Sequence, residues 1–101
     1  MSTVIYGMLK EEKQRNLKMQ ETYKREMEAL RKGSISEKSI SGNTYYYLKY
    51  RQGQKVKNDY LGKDENVIEE IRHKIEKRKY LQGVLKRLKL EYRQISTIVK
   101  D

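Results

Sequence analysis

Apolar residues recur along this chain with two different periods. From Ser2 to Lys32, the positions Ile5, Met8, Leu9, Met19, Tyr23, Met27 and Leu30 fall at helical spacing. Ser2 suits an N-cap, and Gly33 suits a stop after Arg31 and Lys32, whose charges favour a helix C-terminus. The stripe is interrupted between Lys10 and Asn16, where the sequence reads KEEKQRN. Glu11–Arg15, Glu21–Arg25 and Glu28–Lys32 are i,i+4 pairs, each stabilising by only a few tenths of a kcal/mol. The pattern predicts one helix over 2–32.

From Ser34 to Lys63 the composition shifts to Ser, Thr, Tyr, Ile and Val. Ser41-Gly42-Asn43 and Gln52-Gly53-Gln54 are turn signals, and they leave three runs, Ser34–Ile40, Thr44–Arg51 and Lys55–Leu61. That predicts a three-stranded antiparallel meander over 34–63. Alternation puts Tyr46, Leu48 and Tyr50 on one face, and Tyr45, Tyr47, Lys49 and Arg51 on the other. A three-residue turn would add Val56 and Tyr60 to the Leu48 face, and Lys55, Lys57 and Asp59 to the basic face. A two-residue turn would mix the two sets. The three-residue turn is preferred because it separates an apolar face from a basic one.

Over 64–100 the period returns to that of a helix. Asp64 suits an N-cap, with Glu65, Glu69 and Glu70 near the positive end of the helix dipole. Ile68, Ile71, Ile75, Arg78, Leu81, Leu85, Leu88, Tyr92, Ile95 and Val99 form a near-heptad stripe with one short step at Arg78. Gly83, one residue from the stripe, suggests a bend or a close neighbour. The predicted fold is α+β in a single domain: a helix, a meander and a helix, with the helices paired antiparallel and the sheet at their shared end. Distal helix halves with nothing else to cover them predict self-association through Leu85, Leu88, Tyr92, Ile95 and Val99.

Composition narrows the chemistry. The 101 residues carry 24 Lys+Arg against 14 Asp+Glu, a formal net charge of +10. There is no Cys, which excludes disulfides, Cys-ligated metal and a Cys nucleophile. His73 is the single His, so a multi-His metal site or a Ser-His-Asp triad is not expected. His73 stands four residues after Glu69 and reads as an exposed helical residue. No phosphate loop or paired-carboxylate motif is present. We therefore expect no enzyme, no cofactor and no metal. No apolar run reaches the ~20 residues of a membrane span, and the first residues lack the pattern of a signal peptide. Cytoplasmic location and no membrane partner are the expectation.

Charge and aromatics concentrate in two places. Nine bases face two acids between Arg72 and Arg93. Five of the nine Tyr lie between Tyr45 and Tyr60. Alternating Tyr and Lys/Arg on a strand can stack bases and hold phosphates, and helical Lys/Arg can track a phosphate backbone. The candidate nucleic-acid or partner-binding residues are Tyr45, Tyr47, Lys49, Arg51, Lys55 and Lys57 on the sheet. On the helix they are Arg72, Lys74, Lys77, Arg78, Lys79, Lys86 and Arg87. Tyr46 and Tyr50 are expected in the core.

The stretch KGSISEKSISGNTYYYLKYRQGQKVKNDYLGK, Lys32 to Lys63, resembles a family of small proteins of Firmicutes, archaea and their mobile elements. That family shares a helix, a KGS…YYYL-x-YR-x-G-x-KV-x-x-x-Y-(I/L)-GK hairpin and a charged helix. The resemblance covers nearly the whole chain but implies no single activity. A similar Tyr-rich hairpin ending in YLGK near the start of some transposases implies nucleic acid. Small basic mobile-element proteins of this size also include anti-CRISPR inhibitors. The resemblance thus implies a phage or mobile-element protein that binds and occludes a nucleic-acid-handling complex such as an RNA-guided nuclease. The alternatives are a direct DNA- or RNA-binding regulator or accessory factor, and a coiled-coil adaptor acting as a homodimer.

Overall fold

A computed structural model describes residues 2–100. Helix α1 (Thr3–Glu28) is followed by strands β1 (Ser34–Ile40), β2 (Asn43–Gln52) and β3 (Lys55–Gly62), then helix α2 (Glu65–Ser96). The strands form one antiparallel sheet in the order β1-β2-β3. The α+β meander between two helices is therefore present. The chain divides into two compact units. One joins the residues up to Ala29 with those from Lys79 onward, and the other is Leu30–Arg78.

Both expected N-caps form. The Val4 amide donates to Ser2 Oγ at 3.2 Å, and the Asn66 amide donates to Asp64 Oδ1 at 2.9 Å. The helix C-termini come earlier than the sequence suggests. α1 stops at Glu28 because Leu30 and Arg31 are engaged within the sheet unit. The Leu30 carbonyl accepts from Arg78 Nη1 at 3.1 Å, and Arg31 Nη2 donates to Asp59 Oδ2 at 2.9 Å. α2 stops at Ser96, where the last turn tightens: the amides of Ile98 and Val99 both donate to the Ile95 carbonyl.

In the helical unit, α1 and the later part of α2 run antiparallel. Low numbers on α1 meet high numbers on α2: Lys13 Nζ donates to the Val99 carbonyl at 2.9 Å, and Asn16 Nδ2 donates to the Leu88 carbonyl at 2.9 Å. Leu81, Leu85, Leu88 and Val99 are buried here, and Tyr92 and Ile95 are half-buried. Of the stripe expected to self-associate, Leu85, Leu88 and Val99 are thus covered within the chain, and Tyr92 and Ile95 are partly so.

The interruption KEEKQRN also reads differently in three dimensions. Lys13 and Asn16 are the buried residues of α1, while Ile5 and Met8 of the expected stripe are exposed. Both buried polar heads reach carbonyls. Gln20 Nε2 donates to Asn16 Oδ1 at 2.7 Å, and the Lys13 ammonium also lies 5.3 Å from the Tyr92 ring centroid. The Val99 carbonyl lies just past the end of α2, where the helix dipole favours a cation. Of the expected ion pairs, α1 instead forms Arg15–Glu12 and Lys24–Glu28.

In the sheet unit, Leu48 is 1% exposed, so its face of the sheet is covered. The other buried apolar side chains of this unit are Ile68 and Ile75 on α2. The early part of α2 therefore packs over the Leu48 face, and Ile35, Tyr46, Tyr50 and Ile71 are half-buried with them. Gly33 sits at φ +136°, and a Cβ there would come within 2.6 Å of the Lys49 carbonyl oxygen.

Gly83 has no close neighbour, since a Cβ built there meets nothing within 4 Å. Gly33→Ala and Gly83→Ala therefore have opposite signs. The first destabilises by about 1–3 kcal/mol through strain and collision. The second stabilises by up to about 1 kcal/mol through helix propensity. Urea denaturation of the two variants checks both signs. In the helical unit, Asn16→Ala lowers stability by about 1–2 kcal/mol, and Asn16→Asp lowers it further because a carboxylate would face the Leu88 carbonyl. A urea midpoint for Asn16→Ala equal to that of the parent would exclude the Nδ2 donor role.

A candidate nucleic-acid interface

The faces of the sheet follow from its two turns. Ile40 pairs with Asn43, and Gln52 pairs with Lys55, so both loops contain two residues. Ser41 and Gly42 both have positive φ, the pattern of a type I′ hairpin. In the second loop Gly53 alone is positive, at 62°, the pattern of type II′. The preferred three-residue turn is thus corrected to a two-residue one, because Gly53 reverses the chain as the first of two loop residues.

That correction exchanges the faces of β3. Arg51 pairs with Val56, Lys49 with Asn58 and Tyr47 with Tyr60. Paired residues point to the same side. Val56 and Tyr60 therefore join Tyr45, Tyr47, Lys49 and Arg51, whereas Lys55, Lys57 and Asp59 lie on the Leu48 side. β1 adds Ser34, Ser36, Lys38 and Ile40 to the outer face through its pairs with Lys49, Tyr47, Tyr45 and Asn43. The two acids of the strands, Glu37 and Asp59, both fall on the Leu48 side. The outer face carries Lys38, Lys49 and Arg51 with no acid.

This face is open to solvent. Tyr60 is 58% exposed, and Val56 and Ile40 are about as exposed. Three rings meet at one end: Tyr47 and Tyr60 with centroids 5.4 Å apart, and Tyr45 and Tyr60 with centroids 6.4 Å apart, both tilted. The Lys38 ammonium lies 5.0 Å from the Tyr47 centroid. A β-bulge between Tyr46 and Tyr47 leaves Leu61 without a partner and lets the chain leave β3. Toward the other end Lys32, Lys49 and Arg51, with Gly33, Ser34, Val56 and, from the Leu48 side, Tyr50, line a shallow open depression of about 380 Å³. Tyr60 and Lys38 join this face beyond the residues expected from the sequence, because a two-residue turn inverts β3 and because the register of β1 is set only by its pairing.

The candidates on α2 within the sheet unit, Arg72, Lys74, Lys77 and Arg78, lie apart from this face. Within the sheet unit, α2 packs on the Leu48 side, opposite the outer face. Arg72 is half-buried and lies 3.5 Å from Glu69, and half-buried Arg78 holds the Leu30 carbonyl. Arg78 is thus a packing residue, which explains its place in the apolar stripe. Lys74 and Lys77 are exposed, as are Lys79, Lys86 and Arg87 of the helical unit. His73 Nε2 stands 3.6 Å from Glu69 at the surface. Among the described residues, no cluster of three or more His, Asp or Glu could hold a metal ion, and no helix is long and apolar enough to cross a membrane.

On the Leu48 side, Tyr50 Oη donates to Asp59 Oδ1 at 3.4 Å, and Arg31 pairs with the same carboxylate. The Arg31–Asp59 pair is solvent-exposed and contributes at most about 1 kcal/mol. Partial burial first, then the Asp59 hydrogen bond and charge, raise the Tyr50 phenol above its ordinary value, with Arg31 opposing. A raised folded value means that the proton is held more tightly in the folded state. The contribution is complete below about pH 10 and is lost as pH rises through the raised value. Stability of Tyr50→Phe should therefore fall less steeply than that of the parent above about pH 10 in urea titrations.

The model of one protein family, described as a domain of unknown function (DUF6788), matches residues 9–73. That span runs from α1 through the whole sheet into α2. No curated protein matches the chain, and no solved structure matches it.

Proposed function

The chain belongs to the family of the domain of unknown function DUF6788, and from that footing we propose a non-enzymatic protein that binds nucleic acid through the outer face of its sheet. The observation that carries this is the segregation of charge: every strand acid lies on the covered side, and the open side holds Lys38, Lys49 and Arg51 among tyrosines. Cations held apart from acids keep their full attraction for phosphate, and binding gains from released counterions. Lys32 adds a fourth cation at the rim of the depression.

Occlusion of a nucleic-acid-handling complex, an RNA-guided nuclease in its most specific form, is a use of the same face against a strand already bound by another protein. Cleavage assays with nuclease, guide and target would show reduced cutting at molar excess of this chain. The helical cations Lys74 and Lys77, pointing elsewhere, are not needed for the primary contact.

Fluorescence anisotropy with labelled single- and double-stranded oligonucleotides tests the proposal. Three or four cations predict a slope of log affinity against log salt of roughly −2 to −4. Lys49→Gln and Arg51→Gln each reduce its magnitude by roughly 0.7–0.9. Lys57→Gln, on the other side of the sheet, has a smaller effect. Absence of binding to either form at low salt would falsify the proposal.

A further inference from the structure

The outer face holds more than charge, and its aromatic half bears on which form of nucleic acid it takes. Resting on the nucleic-acid reading of this face, we infer that its ligand is a single strand, with a base stacked on Tyr60 and the adjoining backbone over Lys49 and Arg51.

Three observations point the same way. First, Tyr60 is the ring with an available face. The Lys38 ammonium stands over Tyr47 at 5.0 Å, and Tyr45 is half-buried, whereas Tyr60 is 58% exposed. Its contacts with Tyr45 and Tyr47 are tilted by 44° and 55°, so neither consumes a face in a parallel stack. Second, the apolar side chains Val56 and Ile40 stand 49% and 54% exposed on the same side. Phosphates gain nothing from them, but the flat surface of a base does. Third, the cations are few: Lys38 is engaged over the Tyr47 ring, and the other two, Lys49 and Arg51, lie toward the far end of β2. Lys49 and Arg51 follow Tyr47 along β2 at about 6.8 Å per two residues. Aromatic end and basic end thus lie within the reach of a few nucleotides.

In a duplex the faces of the bases are stacked on one another and only their edges show in the grooves. A ring could reach a base face there only by unstacking a step, at a cost of a few kcal/mol. A single strand already offers those faces, and stacking on Tyr is tolerant of sequence. The outer face has no acid, and its amides are only Asn43 and Asn58, on different strands, so no array is set to read base edges. Sequence preference is therefore weak.

The test uses the full chain, a labelled oligothymidine of about ten nucleotides and a duplex of equal length. The chain has no Trp, so tyrosine emission is directly visible. The expected result is tighter binding of the single strand, with quenching of tyrosine emission on saturation. Tyr60→Ala weakens single-strand binding by about 5- to 150-fold and leaves the salt slope unchanged. Tyr80→Ala, which removes a 67% exposed tyrosine of α2, leaves binding as it was. Tyr60→Thr, with a better strand former, repeats the measurement should the alanine variant unfold. Duplex binding equal to or tighter than single-strand binding overturns the inference and leaves the charge-based proposal standing. So does full single-strand affinity in both folded Tyr60 variants. No binding of either probe overturns the proposal beneath it and the inference together.

Discussion

The pairing of Gln52 with Lys55 leaves Gly53 and Gln54 alone to reverse the chain, and that count decides the side of every residue from Val56 to Tyr60. Side chains alternate along a strand, so one more or one fewer loop residue would invert the whole strand. Tyr60 stands beside Tyr47, and Asp59 is withdrawn beside Leu48, for no reason other than this geometry. The acid-free outer face, the aromatic cluster and the Tyr50–Asp59–Arg31 group all follow from it. The bulge at Leu61 ends the constraint just after Tyr60 and frees the chain to reach Asp64, where α2 is capped.

Cover on one side of the sheet is what makes the other side informative. Leu48, Ile68 and Ile75 supply the apolar interior of the sheet unit. Burial of such side chains stabilises by about 1.5–3 kcal/mol each before entropy is counted. With α2 committed to that side, nothing in the sheet unit covers Tyr60, Val56 or Ile40. Their exposure is a property of the fold and not of a loose strand, because β2 is paired along both edges.

Much of the fold was legible because its signals are local. Two caps, the stripe from Ile68 to Val99 and the three strands lie where periodicity puts them. Arg78 stands in the stripe because its guanidinium holds the Leu30 carbonyl, a partner 48 residues away in sequence. What could not be read depends on distant pairing. QGQ is compatible with two or three loop residues, and only the ladder decides. Lys13 and Asn16 read as a break in a stripe because their acceptors, the Val99 and Leu88 carbonyls, are 86 and 72 residues away in sequence. Four of the six sheet candidates, Tyr45, Tyr47, Lys49 and Arg51, share the outer face, since they share a strand and need no register. Lys55 and Lys57 are lost from it, and Lys38, Val56 and Tyr60 gained, since theirs is set across strands.

The lysine inside the helical unit has a consequence for the residues just past α2. Residues beyond a last helical turn are ordinarily the first to fray. Here Val99 is fully buried, and its carbonyl is the acceptor of a buried ammonium. Fraying at that point would open a void against α1 and remove an acceptor from Lys13, so the turn after α2 behaves as a latch for the helical unit.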